Sequence, residues 1–176
     1  MHHVWVNATG NRDYFIDSRA RLQWIRRLVH ECERRRWRGL AFCQMSTHVH
    51  ALLEIGDESL PLGMEHLNRE YSKGFNLRHH RTSHLVRKRY GNRRVEGVRD
   101  LLGTYCYVVL NPVKEGMCSR PEAWRWSSYA TTIGLTADFP FVDASLVLAE
   151  LEGSIDALRV LVSARADLPV SASHVR

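Results

Sequence analysis

The chain predicts an α+β fold, an antiparallel sheet covered by helices. Three observations carry this reading. The apolar spacing switches between the two-residue period of a strand and the 3.6-residue period of a helix. The resulting elements follow the order strand, helix, strand, strand, helix, strand, helix. Two of the strand-like runs lie close enough in sequence to form a hairpin, which sets antiparallel pairing there.

Taken in order, His2 to Ala8 alternates and is rich in Val and Trp before Thr9-Gly10-Asn11 breaks it, a first strand and a turn. Asp17 or Ser18 can cap a helix running to about Arg36, with Leu22, Ile25, Leu28, Val29 and Cys32 at helical spacing. Its Arg19, Arg21, Arg26, Arg27, Arg34, Arg35 and Arg36 are expected on a solvated outer face. LAFCQM, a turn at Ser46-Thr47 and HVHALLEI form the hairpin, which ends at Gly56 to Glu58. A second amphipathic helix follows, with Leu60, Met64, Leu67, Tyr71 and Phe75 on one stripe. Between Arg78 and Arg99 the periodicity dissolves, with a further strand expected around Arg93 to Val98. A third helix is expected over Val98 to Leu110, ended by Asn111-Pro112 because proline discourages continuation. Ser145 to Val162 reads as helical. Residues 1–136 are taken as the main domain and 137–176 as its C-terminal helical appendage.

The composition excludes several classes. At 176 residues with 44% hydrophobic and 25% charged residues, the chain has the balance of one globular domain, not of a disordered, collagenous or coiled-coil protein. No apolar run approaches the roughly 20 residues of a membrane span, and MHHVWVNATG lacks the apolar stretch of a secretory signal, so a cytoplasmic location is expected. Cys32, Cys43, Cys106 and Cys118 form no C-x-x-C pair and read as free thiols. The net charge is +6, and 22 of the 25 cations are Arg, whose planar fork binds phosphate bidentately. A polyanionic partner is the expectation. The surplus is local, since Arg78 to Arg99 carries eight cations and one acid.

His48 and His50 stand two apart in a strand, so both imidazoles share one face while Val49, Ala51, Leu53 and Ile55 take the other. Such a pair suits one divalent metal, although two exposed strand histidines give the same pattern. In the third helix Tyr105 falls on the apolar stripe with Leu101 and Val108 or Val109. Tyr107 instead shares a polar face with Asp100, Gly103 and Thr104, and Asn111 follows it by one turn. That tyrosine is either a surface residue packed over its neighbours or a nucleophile. A tyrosine oxygen can cut a phosphodiester without water, and a metal polarising the phosphate would offset the weakness of a phenol with a pKa near ~10. Such a transesterification conserves the bond energy, and no G-x-x-x-x-G-K-[ST] phosphate loop occurs.

Three blocks carry a family resemblance: AFCQMSTHVHALLEI, LPLGMEHLNREYSKGFNLRHH and LLGTYCYVVLNPVKEGMCSRPEAWRWSSYA. In order and spacing, over about Val4 to Tyr129, the chain resembles the REP-associated tyrosine transposases, a bacterial branch of the HUH single-tyrosine transposases. The last block, a tyrosine followed by LNPVxxG and WSSY, is the most specific. The resemblance implies a ferredoxin-like or RRM-like antiparallel sheet with helices. It implies metal-binding histidines at His48 and His50, a nucleophile at Tyr107 and a third metal ligand at Asn111. It further implies Mg²⁺ or Mn²⁺ as cofactor, cleavage of single-stranded DNA near palindromic hairpins, a 5′-phosphotyrosine link and a free 3′-OH, by a monomer or homodimer.

On that reading Arg87, Lys88, Arg89, Arg93 and Arg94 grip backbone phosphates of the hairpin stem. Trp124, Trp126 and Tyr129 pack the helix end onto the sheet. The chain has Ser46-Thr47 where the family usually has Pro-Asn before the first histidine, and Ala8 where an arginine is common. The alternative from another class is a domesticated, catalytically weak protein that binds DNA hairpins or RNA. A two-histidine phosphodiesterase would need two separated His-x-Ser/Thr motifs, and no such pair occurs.

Overall fold

One mixed-layer unit emerges from the pairing of four strands. A computed structural model describes residues 1–10, 12–56, 59–82, 84–86 and 89–166. The elements are β1 (His2–Asn7), α1 (Ser18–Arg35), β2 (Arg38–Gln44), β3 (His48–Glu54), α2 (Leu60–Arg78), β4 (Gly91–Arg94) and α3 (Gly97–Lys114). After a 3₁₀ turn at Pro121–Ala123 come α4 (Tyr129–Thr132), α5 (Ser145–Ala149) and α6 (Ile155–Ala166). The sheet order is β2-β3-β1-β4 and every pair is antiparallel. With the βαββαβ chain order, this is the ferredoxin-like arrangement.

Alternation along the strands builds two apolar layers. Val4, Val6, Val49, Ala51 and Leu53 face α1 and α2, joining Trp24, Leu28, Met64, Leu67, Tyr71 and Phe75. Cys43 and Leu52 face α3, joining Leu101, Tyr105, Val108 and Val109. Val147, Leu158 and Val162 of the C-terminal helices are buried in that second layer. Among the described residues no helix is long and apolar enough to cross a membrane.

Four expectations shift. The buried face of α1 keeps Ile25, Leu28 and Cys32 of the expected stripe, but Ala20, Arg21, Trp24 and Glu31 complete it while Leu22 is exposed. The fourth strand lies at Gly91–Arg94, earlier than Arg93 to Val98, because its register pairs His3 with Arg93 and Trp5 with Gly91. Helix α3 runs through Pro112 to Lys114. A proline this near the end removes a single ladder donor, and its own carbonyl accepts from the Met117 amide at 2.8 Å. The stretch Ser145 to Val162 is two helices, since Glu152 and Gly153 adopt φ of 53° and 76° between them.

Candidate active site

The face of the sheet beneath α3 gathers the polar residues. Because side chains alternate, His48 and His50 of β3 share that face with His3 and Trp5 of β1. Trp5 lies directly across from His50 in register, and Asn7 across from His48. The ring centroids of His48 and His50 are 5.0 Å apart, edge to face. Helix α3 lays Tyr107 against His50, its ring centroid 5.3 Å away at an interplanar angle of 85°. One turn further on, the Asn111 side chain is buried near enough to act on both groups, raising His48 and lowering Tyr107 against the effect of burial. The residues singled out as metal ligands and nucleophile thus meet at one place.

Electrostatics set the state of each group. Burial pushes His50 well below the usual imidazole range, and the nearby His3 and His48 push the same way. Burial also lowers His48, against the opposing pull of Glu115 and the Asn111 side chain. Both imidazoles are therefore neutral at pH 7, with lone pairs free to ligate. Burial raises the Tyr107 phenol, while the Asn111 side chain opposes that rise and Glu115 adds to it. The phenol is protonated at rest.

The donor set fits a divalent ion. Two neutral imidazoles and an amide oxygen form a partial shell, and among the described residues no larger cluster of His, Cys, Asp and Glu completes one. The remaining positions would fall to water and substrate oxygens.

Two neighbours escaped the sequence reading. His3 is buried, with its Nε2 3.0 Å from Nδ1 of His50. Arg21, expected on the outer face of α1, is buried instead, at 7% exposure. Its guanidinium donates to the carbonyls of Gln44 at 2.9 Å and Met45 at 3.3 Å, and it stacks among Phe15, Trp124 and Trp126. Trp124 also donates to the Gln44 carbonyl, at 3.0 Å, and the Gln44 amide donates to the Trp126 carbonyl, at 2.8 Å. These contacts pin the end of β2. The Ser46-Thr47 turn is held in its place by amides of Tyr14 and Phe15 donating to Ser46 O and of Ala8 donating to Thr47 O. Thr47 Oγ1 then meets His48 Nδ1 at 3.1 Å.

The expected phosphate grip divides. Arg87 and Lys88 lie outside the described residues. Arg89 is exposed and lines a half-open cleft of about 610 Å³ with Asn68, Arg69, His84 and Tyr90. Arg94 is exposed beside Glu96, at 3.0 Å. Arg93, expected among the phosphate contacts, is engaged within the fold. It donates to both Asp100 oxygens, at 2.9 and 2.7 Å, and to Thr104 Oγ1 at 2.7 Å, tying β4 to the first turns of α3.

No protein-family model matches the chain, and no curated protein matches its sequence. Its fold is similar to that of a REP-associated tyrosine transposase solved bound to a REP hairpin. The TM-score is 0.64 and the identity 16%, over 77% of this chain and 81% of that one.

Proposed function

We propose that the chain is a metal-dependent DNA-nicking and strand-transferring enzyme, a tyrosine transposase acting on single-stranded DNA beside palindromic hairpins. The observation that carries the proposal is the placement of Tyr107 edge-on against His50, with Asn111 one turn on acting on both Tyr107 and His48. A tyrosine set edge-on against a neutral imidazole is a workable nucleophile beside a metal. The fold shared with a hairpin-bound tyrosine transposase supports the same choice of substrate.

The chemistry follows from this chain's residues. Tyr107 Oη attacks phosphorus, its O–P bond forming as the bond to the 3′ oxygen breaks. The phenolic proton is lost, and the departing 3′ oxygen gains one. A 5′-phosphotyrosine and a free 3′-OH result, and attack by another strand's 3′-OH reverses the step and joins the strands. Asn111 supports the developing phenolate by its side chain, which opposes the effect of burial. A divalent cation held by His48, His50 and Asn111 would supply positive charge to the scissile phosphate and align it. Arg89 and Arg94, with Arg87 and Lys88, would hold the backbone.

The test is a labelled single-stranded hairpin oligonucleotide incubated with the protein and Mn²⁺, then run on a denaturing gel. A covalent adduct is expected from the wild type and not from Tyr107→Phe. Hairpin binding with no adduct would replace the proposal with a binding-only protein.

A further inference from the structure

His3 is an unusual occupant of its position. It lies in the interior of the sheet's α3 face, 3% exposed, where an apolar side chain would pack without the cost of burying a polar ring. Its ring stacks on His50 at 5.1 Å and 25°, and it meets Tyr107 edge-on at 5.5 Å and Trp5 at 5.2 Å. In the strand register His3 is paired with Leu52, so it reaches His50 diagonally. That reach brings its Nε2 within 3.0 Å of His50 Nδ1, a hydrogen bond between two buried rings.

A neutral imidazole carries one proton, and where it sits decides what the ring can do. If His3 donated, the His50 proton would sit on Nε2 and block that nitrogen. If His50 donates from Nδ1, its Nε2 keeps a lone pair. We infer that His3 is a positioning residue for the metal site, accepting the Nδ1–H of His50 and so presenting His50 Nε2 as the ligating atom. This inference rests on the proposed metal site and adds to it a ring outside the ligand set. Ligating histidines commonly give their second nitrogen to such a partner, and loss of the partner lowers metal affinity about 10–100-fold. The same ring braces Tyr107 by its edge contact, so ligand and nucleophile share one support.

The experiment uses the full chain and compares wild type, His3→Phe, which keeps a flat ring but no acceptor, and His3→Gln, which keeps an acceptor. Long-range ¹⁵N spectra of the metal-free protein report the tautomer of His50. Calorimetry with MnCl₂ reports affinity. The expected result is a wild-type His50 protonated on Nδ1, a shift toward the Nε2–H form in His3→Phe with at least tenfold weaker Mn²⁺ binding, and recovery of both in His3→Gln. A wild-type His50 protonated on Nε2 overturns the inference, and this holds even if His3→Phe fails to fold. So does a His3→Phe protein with unchanged tautomer and affinity. Absence of Mn²⁺ binding by the wild type overturns the metal site itself and the positioning role with it. Binding indifferent to His3 overturns only the latter.

Discussion

Glu31 sits fully buried where α1 meets α2, its carboxylate held by Arg35 Nε at 2.8 Å and by His66 Nδ1 at 2.5 Å. Burial alone would raise its pKa, but the hydrogen bonds from Arg35 and His66 outweigh it and hold the carboxyl below its ordinary value. A folded pKa below the unfolded one stabilises at pH values above the unfolded range and loses that contribution as pH falls through the folded value. Glu31→Gln is therefore expected to cost about 2 kcal/mol at neutral pH and much less in acid, read from urea denaturation at both. An equal loss at the two pH values would contradict this. The single residues differ in how far the chain announces them. His48, His50, Tyr107 and Asn111 are legible because period two and one helical turn put them on common faces. His3 and Arg21 are not, since the partners that define them are distant in sequence. The Arg21 acceptor at Gln44 lies 23 positions on, and the His3 partner at His50 lies 47 on.

Strand β4 is the short outer strand of the sheet, and its position depends on a bare backbone. A Cβ at Gly91 would fall inside the Trp5 indole, which lies over this strand and also packs beside His3. Gly91→Ala is expected to cost roughly 1–3 kcal/mol through overpacking, and Trp5→Leu in the same chain to recover part of that loss. Additive losses in thermal unfolding of the double variant would argue against the contact. The element order, the hairpin and the stripe of α2 were legible because each follows from local periodicity. The early position of β4 and the passage of α3 through Pro112 were not. Strand register and the tolerance of a helix end are set by neighbours in space, whereas Gly153-Ser154, a glycine stop and a capping serine, did carry a signal for the break between α5 and α6.

Across the whole molecule, the +6 charge is spread unevenly, and several cations of the basic segment have acidic partners at the surface. Within the basic segment Arg78 pairs with Asp17, Arg93 with Asp100 and Arg94 with Glu96. Arg19, Arg26 and Arg27 line a groove between α1 and α2, a second basic surface that the solvated-face reading of α1 did not set apart. Hairpin binding is expected to weaken steeply with salt, and Arg89→Ala to lower the log–log salt slope by about one across different hairpin sequences. Arg93→Ala should instead lower thermal stability, because its partners are Asp100 and Thr104. Fluorescence anisotropy from low to moderate salt checks the first, and a flat salt response would count against the basic segment as a DNA surface. The central claim concerns one oxygen atom, and mass spectrometry of the digested covalent adduct examines it directly. A nucleotide phosphate localised by fragmentation to Tyr107 is the predicted result, and a nucleotide on Tyr105 or any other residue would contradict it.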